Sequence, residues 1–296
     1  MSGDAHVGDD VGTGDGGTAI ADGAPTRDGA GTDGGTGDDG ADTPRGVIAL
    51  TQAHLQSQTL GDVSNYSLTV NIATLGEQAR ERAAATVTTA GDCTVTVLAI
   101  DPDAGQVQRV SGMNAGAITV TGIRLPPLLS VDYAAMGDAG VSNYTAAQGD
   151  TRFYEDGDVI TVEGAGGSDL PAFPGQSLMA PSEIALMAPT CTGSCPSIDR
   201  TMDMPVAWQN GGAGKVQVTL ETVADTQVVL LQCKFDAGTG TGTVPTALLA
   251  KLGDTNDPNV SGIMQISPIN EVTFPIGAVR ATFTIVAVQF EAVLGG

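Results

Sequence analysis

The chain has 296 residues, a formal charge of −22, and twelve lysines and arginines against 34 acids. Cations this sparse cannot line a nucleic-acid backbone or an anionic bilayer, which sets aside nucleic-acid binding and attachment to acidic lipid through the protein surface. No apolar run approaches the ~18 residues that span a membrane as a helix.

Residues 1–46 come first, and 24 of these 46 positions are Asp or Gly. Beyond Met1 the only bulky apolar residues there are Val7, Val11 and Ile20. So little apolar surface cannot offset an ordering cost of roughly 1–2 kcal/mol per residue, so a disordered tether is predicted. As a Gly-rich coil it would reach about 40 Å. Ten Asp against Arg27 and Arg45 give it −8 and leave −14 to the body. A tether ahead of a β-rich body fits an exported lipoprotein. The chain then reads as a mature form, Met1 standing where the signal and lipidated cysteine would be.

From Gly46 onward the pattern changes to short β-branched runs broken by Gly, Asp, Asn and Pro. Strands are predicted at Val47–Gln52, Tyr66–Thr74, Thr94–Ile100, Gln106–Ser111, Ala117–Ile123 and Val159–Glu163, with one short helix at Gly76–Ala85. Leu68, Val70 and Ile72 fall on one face of the second strand. Asp156-Gly157 signals a tight turn, because Gly tolerates positive φ. These elements make a first unit over 47–185.

A proline-punctuated stretch, Pro171–Pro189, leads into a second unit over 186–296. Its predicted strands are Met204–Trp208, Lys215–Glu221, Gln227–Lys234, Ile263–Ser267 and Val279–Val293. Val206–Leu220 reads as a hairpin turning at Gln209–Gly214. Met204, Val206 and Trp208 would face Val216, Val218 and Leu220 across it, which makes Trp208 a core residue. Pro245–Leu252 reads as a helix capped by Thr243 and ended by Gly253. The expected class is all-β: a disordered acidic leader, then two β-sandwich-like (Ig/fibronectin-like) units.

The segments Asp169-Leu-Pro-Ala-Phe-Pro-Gly175, Ala180-Pro-Ser-Glu-Ile184, Ile198-Asp-Arg-Thr-Met-Asp203 with Val206-Ala-Trp208, and Cys233-Lys-Phe-Asp-Ala-Gly238 leading to Val244-Pro-Thr-Ala-Leu-Leu249 resemble a group of uncharacterised bacterial surface lipoproteins. Those have a Gly/Asp-rich leader and an all-β, sandwich-like body. The resemblance covers roughly residues 155–255 and the style of the leader. It implies export and lipid anchoring and carries over no catalytic residue.

Four cysteines, Cys93, Cys191, Cys195 and Cys233, favour disulfides in an oxidising compartment over zinc, since only one close pair exists. Cys191 and Cys195 flank the turn-prone Thr192-Gly193-Ser194 and are expected to pair, which leaves Cys93–Cys233 as the second bridge. His6 lies in the leader and His54 stands without a nucleophile motif, so neither is taken as catalytic. Acids cluster at Asp101 and Asp103, at Asp150, Glu155, Asp156 and Asp158, and at Asp254, Asn256, Asp257 and Asn259. Turn chemistry is the expected role of such residues. Ca²⁺ is the weak alternative, with Asp254, Asn256 and Asp257 as candidates, although none of these runs matches an EF-hand loop. Gly238-Thr-Gly-Thr-Gly242 lacks the Lys and the βαβ unit of a phosphate loop.

The expectation is an exported, surface-tethered protein with a binding or structural role, no catalytic residue and no cofactor. Its partner would be a protein or a cell-envelope component rather than a small molecule, and it would meet the membrane only through an N-terminal lipid anchor. The alternatives are a secreted, carboxylate-based (Ca-dependent) hydrolase, or a subunit of an extracellular fibre or coat built through an open strand edge.

Overall fold

Period-2 burial organises the body. In Gly61–Thr74, Leu68, Val70 and Ile72 are buried while Thr69 and Asn71 are exposed, and Lys215–Ala224 buries Val216, Val218, Leu220 and Thr222 in the same phase. A computed structural model describes residues 45–57, 61–74, 85–99, 111–124, 128–134, 143–144, 147–149, 152–190 and 198–294. The predicted tether (but for residues 45 and 46), the helix expected at Gly76–Ala85 (but for Ala85) and the strand expected at Gln106–Ser111 (but for Ser111) lie outside these residues.

The strands, in chain order, are β1 (Arg45–Ser57), β2 (Gly61–Thr74), β3 (Thr86–Ala90), β4 (Cys93–Ala99), β5 (Ser111–Gly112), β6 (Ile118–Thr121) and β7 (Leu128–Val131). There follow β8 (Tyr133–Ala134), β9 (Asn143–Tyr144), β10 (Ala147–Gly149), β11 (Val159–Gly164), β12 (Phe173–Met179) and β13 (Ala185–Ala188). The remainder are β14 (Met204–Gln209), β15 (Lys215–Ala224), β16 (Gln227–Asp236), β17 (Thr241–Val244), β18 (Ser261–Ile276), β19 (Val279–Val288) and β20 (Phe290–Leu294). Among the described residues one α-helix, α1 (Thr246–Leu249), and a 3₁₀ turn at Ala237–Thr239 interrupt them. The class is all-β, as predicted.

The largest sheet runs β10-β2-β1-β19-β18-β15-β16-β4-β3, with β20 also on β18 and β5 on β2. Its strands are antiparallel except β1 and β19, which pair in parallel from Arg45↔Arg280 to Ala53↔Val288. Smaller sheets are β12-β11-β6-β7, β13-β14-β17 and β8-β9. The large sheet therefore takes strands from both sides of the boundary drawn at 185/186, and every described residue belongs to one unit spanning 39–296.

Two separate cores fill the space between sheets. The first gathers Ile48, Leu50, Ile118, Phe153, Tyr154 and Ile160, and also Phe274, Phe283 and Ile285 from the far end of the chain. The second gathers Trp208, Val218, Leu231 and Leu248, together with Cys93 and Val95 from the near end. Each core is thus finished by strands from the other half of the sequence.

The β18–β20 hairpin passes through both cores. It turns at Gly277 (φ 59°), where any L side chain would be strained. Ile269 pairs with Val286, but Ile266 pairs with Phe290, so three residues (287–289) oppose two (267–268). The strand predicted as Val279–Val293 is therefore split by a β-bulge. Pro268, which has no N–H for a ladder, sits at that point.

Two local expectations are corrected. Val206–Leu220 is not a hairpin: β14 pairs with β13 and β17, while β15 pairs with β16 and β18. The five residues 210–214 instead carry the chain from the sheet of β14 to the large sheet that holds β15. The helix predicted at Pro245–Leu252 shrinks to α1, and Thr243 does not cap it. Asp203 Oδ1 accepts from the N–H and hydroxyl of Thr246, because Thr243 is held in β17 opposite Pro205.

Candidate functional site

Gln52 is the residue the sequence reading passed over. It follows Ile48 and Leu50 in the inward phase of β1 and is 4% exposed, so its amide would be costly to bury alone. It brackets a segment that is not itself a strand. Its Oε1 accepts from Phe153 N at 2.7 Å and Tyr154 N at 3.1 Å, and its Nε2 donates to Tyr154 O at 3.3 Å. Phe153 stacks on Tyr66 with centroids 4.1 Å apart. The Tyr154 hydroxyl donates to Val286 O at 2.9 Å, and burial pushes its pKa well above the ordinary phenol value. A glutamine at an apolar-phase position was the available signal.

The acidic clusters resolve into turn caps and ion pairs. Asp156-Gly157 forms the expected turn, with Gly157 at φ 79°. Around it Asp158 Oδ2 meets Arg124 Nε at 3.0 Å, and Arg152 meets Glu183 at 2.6 Å and Glu155 at 3.5 Å. The Arg124 hydrogen bond holds the Asp158 carboxyl below the usual carboxylate value. Asp150, Asp101 and Asp103 lie outside the described residues.

The Ca²⁺ candidates are similarly engaged. Asp254 Oδ1 accepts from Asn256 N and Nδ2 at 3.1 and 3.0 Å, and its Oδ2 lies 3.0 Å from Arg200 Nη2. Asp257 Oδ1 accepts from both nitrogens of Asn259 at 2.9 Å. Those bonds to Asn256, with Arg200 beside them, lower the Asp254 pKa. Among the described residues no group of three His, Cys, Asp or Glu side chains could hold a metal. Asp199 and Asp203 are also held low, by the hydrogen bonds of Thr201 and Thr246.

A small cavity is lined by Ile198, Arg200, Thr222, Leu252, Thr255 and Leu294. Arg200 donates to Leu252 O at 2.8 Å on its wall.

Trp208 is a core residue, as the sequence predicted. It is 3% exposed, donates from Nε1 to Ala237 O at 2.8 Å and stacks near Phe235 at 6.2 Å. Gly211 lies so close that a Cβ there would sit 2.0 Å from Ala237 O. His6 lies outside the described residues, as does the side chain of His54.

Cys93 and Cys233 form a disulfide. They stand opposite each other on β4 and β16, across 140 residues of chain. Cys191 and Cys195 lie outside the described residues, and so does their expected pairing.

The segments behind the lipoprotein resemblance serve the fold. Leu170 and Phe173 enter the first core, while Ile184, Val206, Trp208, Phe235, Val244 and Leu248 enter the second. Asp199, Asp203 and Asp236 cap turns or helices, Asp236 through Gly238 N at 3.0 Å. No protein-family model matches the chain, and no curated protein is significantly similar to it.

Proposed function

We propose that this is an exported protein, tethered at the cell surface by its leader, that works by contact, in a binding or structural role, and not by catalysis. The observation that carries the reading is the Cys93–Cys233 bridge between β4 and β16. A buried disulfide that ties two distant parts of a chain belongs to an oxidising compartment. Lipid anchoring upstream of the leader rests on the resemblance to surface lipoproteins. The contact role is supported by the carboxylates of the two loop clusters among the described residues, which are spent on turn caps and arginine pairs.

The test is fractionation of the native cell with thiol alkylation before lysis. The proposal expects the protein in the envelope, in the detergent phase on phase separation, with Cys93 and Cys233 unreactive until reduced. A cytosolic protein with alkylated Cys93 contradicts it.

A further inference from the structure

Resting on the export reading above, we propose that Asn259 is a glycosylation site, whose side-chain amide receives an N-linked saccharide from a lipid-linked donor on the way out of the cell.

The acceptor pattern for this chemistry is Asn, then any residue but Pro, then Ser or Thr, on the surface of an exported protein. The chain holds it three times, at Asn65-Tyr66-Ser67, Asn143-Tyr144-Thr145 and Asn259-Val260-Ser261. The fold separates them. Asn65 is paired with Ala53 in the β1–β2 ladder, and Asn143 with Ala134 between β8 and β9. The middle residues of both are seated on the first core. Tyr66 stacks on Phe153, and the Tyr144 hydroxyl accepts from Ala115 N at 2.8 Å. A transferase has to take hold of the acceptor segment, and these two are already held.

Asn259 stands outside the ladders, in the turn between α1 and β18. Asn256, Asp257, Pro258 and Asn259 are exposed in succession, and Ser261, which supplies the hydroxyl, is exposed at the first position of β18. Asp257 Oδ1 accepts from Asn259 N and Nδ2, both at 2.9 Å, and so fixes the amide on this turn. Nδ2 carries two hydrogens, and that bond uses one of them. Transfer replaces the other. A bond forms between Nδ2 and C1 of the first sugar, and the bond from C1 to a phosphate oxygen of the isoprenoid-phosphate donor breaks. The electron pair leaves on that oxygen, and the displaced amide proton passes to the phosphate or to water. The product is a secondary amide that keeps one N–H for Asp257, so the turn survives the modification.

The turn also contains an internal control. Asn256 is exposed and held by Asp254 Oδ1 in the same manner, from N and Nδ2 at 3.1 and 3.0 Å. Two residues beyond it stands Pro258, where Asn259 has Ser261. Neighbouring amides in matching turns thus differ in the hydroxyl that the acceptor pattern requires.

The experiment uses the full chain isolated from its native cell and digested with trypsin. Residues 252–280 leave as one peptide, because no Lys or Arg lies between Lys251 and Arg280. Tandem mass spectrometry should find that peptide heavier by a saccharide in most molecules, with the added mass on Asn259 and Asn256 bare. Asn259→Gln and Ser261→Ala, each expressed in the native cell, should lose the saccharide completely, while Ser261→Thr and Asn256→Gln keep it. The two Ser261 variants leave the Asp257–Asn259 hydrogen bonds in place, and equal melting temperatures after enzymatic deglycosylation verify that both are folded. A peptide of unmodified mass, a saccharide on Asn256, or one that survives Ser261→Ala overturns the proposal. An envelope protein with a bare Asn259 overturns it and spares the export reading, whereas a bare protein in the cytosol removes both.

Discussion

The two cores are secured by different chemistry. In the first, a glutamine on β1 clamps the backbone of Phe153 and Tyr154, a stretch with no strand partner of its own. In the second, a covalent bond fastens β4, which comes from the early part of the chain, to β16. Both fasteners join segments about a hundred residues or more apart in sequence. The difference teaches that the long-range joints, and not the local hairpins, define this body. Hairpins such as β3–β4 or β15–β16 form from neighbours, yet neither core closes until a distant strand arrives.

Changes that break one core and spare the other sharpen the contrast. Trp208→Ala should have the largest effect, about 3–5 kcal/mol, through lost transfer energy and the cavity left among Phe235 and its neighbours. That is a large share of a stability of roughly 5–15 kcal/mol, and chemical denaturation measures it. An unchanged midpoint would contradict the core assignment.

Replacing Cys93 and Cys233 together by Ser comes next, at about 2–5 kcal/mol, because the bridge closes a loop of 140 residues in the unfolded chain. Urea unfolding of the double variant against wild type reads it directly. Gln52→Leu should cost about 1–3 kcal/mol, since the buried N–H groups of Phe153 and Tyr154 lose their acceptor. If its midpoint matched wild type, the clamp would be ornamental.

Acid should produce the smallest effect. Asp158, Asp199, Asp203 and Asp254 all have native pKa values below their unfolded ones. Their contribution is therefore present above the unfolded value near ~4 and is lost as pH falls through the native values. The melting temperature should decline modestly from pH 5 to pH 3. Asp199, Asp203 and Asp254 are exposed and Asp158 is half-buried beside an exposed Arg124, so screening keeps the decline small. A rise over that range would contradict the hydrogen bonds assigned to Arg124, Thr201, Thr246 and Asn256.

Strand phase was legible in the sequence, because side chains alternate with a period of two wherever one face is buried. Trp208 was placed in a core correctly while its strand was given the wrong neighbour. Alternation states which face is buried and says nothing of which strand lies alongside, so Val216–Leu220 could supply the opposing row from a facing sheet equally well. The same blindness hid the exchange of strands between cores. Val95 and Phe283 look like ordinary inward residues of their own halves, and only long-range register sends each to the other core. Gln52 was half legible, as a polar residue in an apolar phase. Asp203 was not, since its acceptor role depends on Thr246, 43 residues later. The Asp-Asn turns at 254–259 were readable because an Asx cap is made within two residues.

The central claim is that two cores, interlocked by the bulged β18–β20 hairpin and by strands exchanged between halves, behave as one cooperative body. Trp208 is the only tryptophan and lies in the second core, whereas Gln52 supports the first. The direct test is Gln52→Leu unfolded in denaturant and followed by Trp208 fluorescence and far-ultraviolet circular dichroism together. The account predicts that the lesion in the first core lowers the Trp208 midpoint, and that the two signals change together in one transition. A Trp208 midpoint left at its wild-type value, with the dichroism splitting into two steps, would contradict it.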